Sequence, residues 1–285
     1  MGAHYYIRGI NGAQRYAPLK KDGTPYLRIA KKKAQEDGAR IGITTQLKNH
    51  LDTGFLFEWA GRLGIQAGFD AVYEYFSGVV GSDDAERLKN IPHATRGLAS
   101  SMFRKESTKA ADRGTEIHDG LDVMLKGGER SEDKIIAEAQ DQVQGWLEGH
   151  GIDTTTVKAE HCVLFEGGIT LEDGRVLELK NGATADLITE RLLADYKTLE
   201  KAKDGKYYTG KPEHCAQLAF CRHAAWQDGI CDADAKCINV YIDRTTGMIV
   251  GSRWWTNEEL DAGLEFAAHC YECDKAKAKL EGAIK

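Results

Sequence analysis

The sequence predicts an α/β fold in which helices precede and flank a central sheet. Apolar residues recur every four positions over 41–71, which is typical of a helix, and they are Leu47, Leu51, Phe55, Trp59 and Leu63. Helical patterns follow over 98–126 and 132–149. From 156 onward the pattern becomes that of strands, interrupted by one more helix. This order favours one α/β domain with a helical N-terminal part.

The individual elements can be predicted in chain order. Residues 1–40 end in a short helix around AKKKAQEDG, and 78–92 form a loop. TVKAEHCVLFEG (156–167) predicts a strand, RVLELKNG continues the sheet, and ADLI and LLADYK supply two more strands. A helix over 212–226 begins with proline at its favoured first position, and a hairpin covers 236–255. The last helix opens with a capping box of Thr256 and Glu259. We expect a basic and helical part over 1–95, packed on a core over 96–285.

Composition limits the classes of function. Of the 285 residues, 42% are hydrophobic and 29% are charged, which is ordinary for a soluble globular protein. No apolar run approaches membrane-spanning length, so we expect a cytoplasmic protein without a membrane partner. An odd count of seven cysteines without a secretory signal predicts reduced thiols. The net charge is −6, yet residues 1–40 hold nine Lys/Arg against three Asp/Glu, so a nucleic acid could bind there.

The stretch ATADLITERLLADYKT (183–198) carries charges inside two apolar strands. If the strands pair around a turn at Glu190-Arg191, Asp186 lies opposite Asp195, and alternation places Lys197 on the same face. Facing carboxylates repel and are costly to bury, whereas a Mg²⁺ ion between them would remove that cost. The alternative is a surface hairpin with a simple Asp195–Lys197 ion pair. The turn is not a strong type, so a register slip of one residue stays open.

These residues resemble the core motif of the PD-(D/E)XK nucleases, in the branch that includes the RecB nuclease domain. In that motif an aspartate ends one strand and D-Y-K-T follows on the next, as Asp186 and 195–198 do here. RGTEIHDGLD supplies Gly114 and His118 for a G-x-x-x-H helix. QLAFC supplies Gln217 for a Q-x-x-x-Y helix, with Cys221 in place of the tyrosine. AHYYIRG and ITTQLKNHLDTGFLFEWAGRLG are similar to phage-type exonucleases of this group, which also resemble the mitochondrial genome maintenance exonuclease.

The resemblance implies a restriction-endonuclease-like mixed sheet flanked by helices, and a Mg²⁺-dependent deoxyribonuclease, most simply an exonuclease. Mn²⁺ would substitute for Mg²⁺, and no iron–sulfur cluster is expected because no cysteine precedes Cys162. A zinc site at Cys270-x-x-Cys273 is the alternative use of thiols. The implied catalytic residues are Asp186, Asp195, Lys197, His118 and Gln217. The implied metal ligands are His118, Asp186, Asp195 and the carbonyl of Tyr196, and the supporting candidates are Glu116, Glu160 and Thr198. Glu160 is equally a candidate ligand or a solvent-facing strand residue.

The loop after the hairpin mixes cations with aromatic rings, a combination that can hold phosphates and stack bases. Its candidate DNA-binding residues are Lys201, Lys203, Lys206, Tyr207, Tyr208 and Lys211. The expected partner is DNA, single-stranded or with a free end, alongside a recombination or replication protein in a phage or bacterial cytosol. Two other functions stay open: a catalytically inactive nuclease-fold module that binds DNA or protein, and a structure-selective endonuclease. The alternative for the loop is a solvated segment without a ligand.

Overall fold

The computed structural model describes residues 4–20, 23–26, 29–48, 50, 109–171, 173–202 and 204–284. The chain divides into two compact units, one of Gly2–His50 with Gly114–Lys285 and one of Leu51–Arg113 with Met1. The predicted loop over 78–92 and the predicted domain boundary at 95 lie outside the described residues. So do most of the predicted helix over 41–71 and the first part of the one over 98–126.

The N-terminal residues form a small antiparallel sheet. Its strands are β1 (Tyr5–Gly9), β2 (Gly12–Arg15) and β3 (Arg40–Ile41), in the order β2-β1-β3. Helix α1 (Lys31–Glu36) lies where a short helix is predicted, and α2 (Ile43–Lys48) follows β3. The strands are a departure from the prediction, because residues 1–40 show only weak periodicity. A mainly helical N-terminal part is therefore not what residues 4–50 show.

The central sheet has five strands in sequence order. Helices α3 (described over 109–125) and α4 (Lys134–Gly149) and a 3-10 turn (Thr154–Thr156) precede it. The strands are β4 (Lys158–Thr170), β5 (Val176–Ile188), β6 (Leu192–Leu199), β7 (Lys236–Asp243) and β8 (Ile249–Trp255). Helix α5 (Pro212–Gln227) joins β6 to β7, which run parallel, and the other neighbours are antiparallel. Helix α6 (Asn257–Ile284) closes the chain, so the predicted α/β fold with a mixed, helix-flanked sheet is confirmed.

Two details test the sequence arguments. The capping box is present: Glu259 N–H donates to Thr256 Oγ1 (3.2 Å), and Thr256 N–H donates to Glu259 Oε2 (2.9 Å). The prediction of a break between RVLELKNG and ADLI is wrong, because β5 is one continuous strand. Asn181, inside that strand, is buried and donates to the Ile41 carbonyl (3.0 Å) and to Gln46 Oε1 (3.0 Å). These hydrogen bonds of Asn181 therefore link β5 to the N-terminal segment.

The two faces of the central sheet have different partners. On one face, α3 and α4 pack on apolar side chains of β5, β6 and β7, including Leu187, Ala194 and Tyr196. The opposite face of β6 and β7 is covered by α5. None of the helices in the described ranges has the length and apolar character needed to cross a membrane. Asp195 and Lys197, which alternate with Ala194 and Tyr196 along β6, therefore lie on the α5 side.

The N-terminal sheet lies against β4 and β5. Tyr6 packs directly on Gly182 and leaves no room for a Cβ atom there. Its hydroxyl lies 3.2 Å from Thr184 Oγ1. This docking brings strand β2 alongside the charged end of β5.

Candidate metal centre and active site

The predicted register of the charged hairpin is confirmed. Leu187 pairs with Ala194 and Ile188 pairs with Leu193, so the paired numbers sum to 381. Because Leu187 and Ala194 face the α3–α4 core, alternation places Asp195 on the α5 face, whereas Asp186 lies where the pairing ends and contacts His118 of α3. The β5–β6 ladder ends at these pairs, and Asp186 Oδ2 accepts a hydrogen bond from the Tyr196 N–H (2.6 Å).

His118, Glu160 and Asp186 form a cluster that could hold a metal ion. One donor atom of each lies within 4.8 Å of the others, and His118 Nδ1 is 3.4 Å from Asp186 Oδ2. Within the described ranges it is the one group of this kind. Carboxylate oxygens with one imidazole nitrogen suit a divalent cation, and three ligands leave positions open for water and substrate. We call this cluster the metal triad.

Glu160 enters the triad through an irregular strand. It lies opposite Asp186, between the pairs Ala159–Leu187 and His161–Ala185, and the β4–β5 ladder omits this position. Its φ of +46° is in the left-handed region, where a non-glycine residue costs about 1–3 kcal/mol. A residue keeps this strained backbone conformation where the neighbouring structure holds its side chain in a particular direction. Here the side chain joins Asp186 rather than continuing the regular ladder.

His118 reaches the triad because α3 approaches β6 closely. A Cβ on Gly114 would lie 2.8 Å from Thr198 Oγ1, so this position of α3 favours glycine. His118 is four residues later, on the same helix face. Packing therefore explains the G-x-x-x-H spacing. Gly114 allows α3 to lie close to β6, and this brings His118 within reach of Asp186.

The electrostatics of the triad favour an added cation. Burial, together with the negative charge of Asp186, raises the pKa of Glu160 to about 7. Burial would lower the pKa of His118, but the charge of Asp186 and the hydrogen bond to it outweigh burial and raise that pKa. Burial opposes ionisation of Asp186, yet His118, Lys197 and the Tyr196 N–H lower its pKa. One carboxylate thus ionises only with difficulty, a cost that a bound cation would remove.

Asp195 is the centre of a buried hydrogen-bond network beside the triad. Lys197 Nζ lies 2.6 Å from its Oδ2, and Gln217 Nε2 donates to its Oδ1 (3.0 Å). Lys197 also donates to Gln217 Oε1 (3.0 Å), so these three predicted residues are together. Burial would lower the pKa of Lys197, but the charges of Asp195 and Asp186 raise it. Lys197 is therefore a cation at neutral pH.

Two residues of this network escaped the sequence analysis. Asn239 Nδ2 donates to Asp195 Oδ2 (2.7 Å), and Trp255 Nε1 donates to Asn239 Oδ1 (2.7 Å). Asn239 is fully buried and lies next to Asp195 in the parallel β6–β7 pair. Asp195 thus accepts bonds from three side chains, and its carboxylate is held in one orientation.

The other predicted site residues take different positions. The Tyr196 side chain is in the core on the face opposite Lys197, and Thr198 contacts α3 near Gly114. Glu116 is exposed on α3 and is not in the triad. Cys221 is buried one turn after Gln217, and burial and Asp195 raise its pKa well above the ordinary value. That pKa makes it a neutral packing group.

The lysine-rich loop follows β6 directly. Lys201 and Lys206 are exposed, Lys211 is half-buried, and Lys203 lies outside the described residues. Tyr208 is exposed and donates to Asp204 Oδ2 (2.8 Å). Tyr207 is bonded to Asp243 at the end of β7. The loop therefore presents exposed lysines after the end of β6, while its tyrosine hydroxyls are bonded to Asp204 and Asp243.

Comparisons with known proteins found distant structural similarity alone. No family model and no curated protein matches the chain. A proposed exonuclease from Eubacterium rectale is 13% identical over 55% of this chain, with a TM-score of 0.35. The chain spans 64% of that protein, which is less than two thirds. The protein SSO0001 is 16% identical over 73% of this chain and 84% of its own, with a TM-score of 0.29. Similarity of this size assigns neither a family nor an activity.

Proposed function

We propose that the protein is a divalent-metal-dependent nuclease, and specifically a Mg²⁺-dependent DNA exonuclease of the PD-(D/E)XK type. One observation carries the proposal: the metal triad lies beside a buried carboxylate–lysine pair, at the point where the pairing of β5 and β6 ends. The positive charge of Lys197 lowers the pKa of Asp186, so the two groups interact electrostatically. A surface hairpin with solvated charges would not bury Asp195 to 2% exposure.

Each residue has a chemical task in this proposal. His118, Glu160 and Asp186 would hold the cation, with Asp195 and the Tyr196 carbonyl as further candidates. When bound, the cation supplies Lewis acidity and neutralises phosphate charge. Lys197, a cation held by Asp195 and Gln217, would orient the attacking water or offset the charge that develops on the phosphate. Asn239 and Trp255 position Asp195 and do not touch substrate.

Cleavage of defined DNA molecules tests the proposal. The purified protein is incubated with end-labelled linear DNA and with closed circular DNA, each with Mg²⁺, with Mn²⁺ or with EDTA. We expect metal-dependent shortening of the linear molecule alone. Lys197→Ala should be inactive, whereas Lys158→Ala, a change of an exposed lysine at the start of β4, should be active. Cleavage of the circle would indicate an endonuclease. Binding without cleavage under every condition would favour the inactive module.

A further inference from the structure

Arg15 of the N-terminal sheet borders the metal triad. Its guanidinium lies 3.6 Å from Glu160 Oε2, and its Nε donates to Thr184 Oγ1 (3.3 Å). Thr184 and Asp186 are two residues apart on β5, so their side chains point to the same face. The hydrogen bond to Thr184 fixes the Arg15 stem, while 53% of its side chain stays exposed. The residue is thus anchored at one end and open to solvent at the other.

We propose that Arg15 binds a phosphate of the nucleic-acid substrate next to the metal, which makes strand β2 a wall of the active site. This proposal rests on the proposed nuclease function. A guanidinium is a fork of donors that matches phosphate oxygens, and it stays charged at all working pH values. Lys197 and Arg15 approach the triad from different elements, β6 and β2. A phosphate at the triad would therefore meet a cation from each.

The ion pair with Glu160 holds Arg15 at the edge of the triad when no metal is bound. Without a cation in the triad, Arg15 is a positive charge beside the Glu160 carboxylate. A divalent ion held by Glu160 would compete with Arg15 for that carboxylate and release the guanidinium toward substrate. Replacing Arg15 should therefore weaken DNA binding but tighten metal binding, since it removes a competing positive charge. A purely structural role would weaken both.

Arg8 provides a matched control on the same small sheet. It is equally exposed at 52%, but its guanidinium is bonded to Asp228 (3.1 Å) and to the Leu164 carbonyl (3.0 Å). Arg8→Ala removes the same charge from the N-terminal segment without touching the triad. Arg15→Lys keeps the charge and loses the fork. All three changes are at exposed side chains, so melting temperatures should stay close to that of the wild type.

DNA affinity is measured by fluorescence anisotropy in the Lys197→Ala background with Mg²⁺, so that the substrate stays intact. We expect Arg15→Ala to weaken affinity about fivefold to tenfold and to reduce the salt slope by about one counterion. Arg8→Ala should change affinity less than twofold, and Arg15→Lys should be intermediate. Mn²⁺ titration without DNA should show tighter binding for Arg15→Ala.

The outcomes separate this inference from the proposed function. If the Arg15→Ala and Arg8→Ala proteins bind DNA alike, or if Arg15→Ala weakens Mn²⁺ binding, the role of Arg15 is wrong even though the wild type cleaves DNA. If the wild type neither binds nor cleaves DNA, the proposed function fails and Arg15 has no such substrate.

Discussion

Replacing Glu160 with glutamine should stabilise the metal-free protein. The pKa of Glu160 rises from its ordinary 4.5 to about 7, because the folded state disfavours its charge. A raised carboxyl pKa means that the folded state binds the proton more tightly than the unfolded state does. The penalty is therefore small near pH 4.5, grows as pH rises, and is complete above pH 7. The full shift corresponds to about 3 kcal/mol. Screening at a side chain that is 29% exposed reduces this to about 1–2 kcal/mol.

Thermal unfolding in EDTA at pH 8 and pH 5 measures this effect. We expect Glu160→Gln to raise the melting temperature by about 2–5 °C at pH 8, and by much less at pH 5. Saturating Mn²⁺ should stabilise the wild type and have little effect on the variant, because binding to the native state alone raises stability. Glu166→Gln is the matched control on the same strand. It removes a carboxylate that accepts two bonds from Arg40 (3.0 Å each), so it should lower stability.

The reasoning is refuted if Glu160→Gln leaves stability unchanged or lowers it at pH 8. Burial and the charge of Asp186 would then not disfavour ionisation of Glu160, and the electrostatic argument for a cation at the triad would fail. Stabilisation that is equal at both pH values would instead show that the cause is not the ionisation of Glu160.

Four further predictions concern separate parts of the structure. Lys197→Ala should abolish cleavage and leave DNA affinity within twofold at fixed salt, measured by single-turnover kinetics and anisotropy; normal cleavage would remove Lys197 from the mechanism. Replacing the loop lysines together should lower DNA affinity and its salt slope more than it lowers turnover. DNA affinity equal to that of the wild type would mean that DNA binds elsewhere. The lysines are Lys201, Lys203, Lys206 and Lys211. Asn239→Ala should cost about 1–3 kcal/mol in urea unfolding, because Trp255 Nε1 and Asp195 lose a buried partner. Thr256→Ala should cost about 1 kcal/mol by removing the capping box, with cleavage unaffected, and an unchanged urea midpoint would contradict the cap.

Counting residues along paired strands explains which site residues can be predicted from the sequence. The positions of Asp186 and Asp195 follow from one turn, because pairing around a hairpin tip is fixed by counting. The same counting identifies Glu160: a turn centred on Asp173 and followed by Gly174 (φ +82°) sets pairs that sum to 346, which puts Glu160 opposite Asp186. The fold class was predictable because periods of two and of about four residues are local properties of the chain.

Non-local contacts explain what the sequence does not predict. In the sequence, Asn239 is a polar residue within an apolar strand. Its role depends on its position beside Asp195 in the parallel β6–β7 pair, whose two strands are connected by α5. The strands of the N-terminal sheet are short and contain glycine and polar residues, so they lack a periodic signal. Arg15 gains its place only when that sheet docks on β5.

The docking of Tyr6 on Gly182 imposes an order on assembly during synthesis. The N-terminal sheet is translated first, but its surface on β5 emerges about 170 residues later, after about 10–35 s at ordinary elongation rates. Until then Tyr6 lacks this packing partner, and Arg15 lacks the carboxylate of Glu160. The candidate site therefore cannot be complete on a partly made chain. It gains its full set of charged groups only after both β5 and β6 have been made.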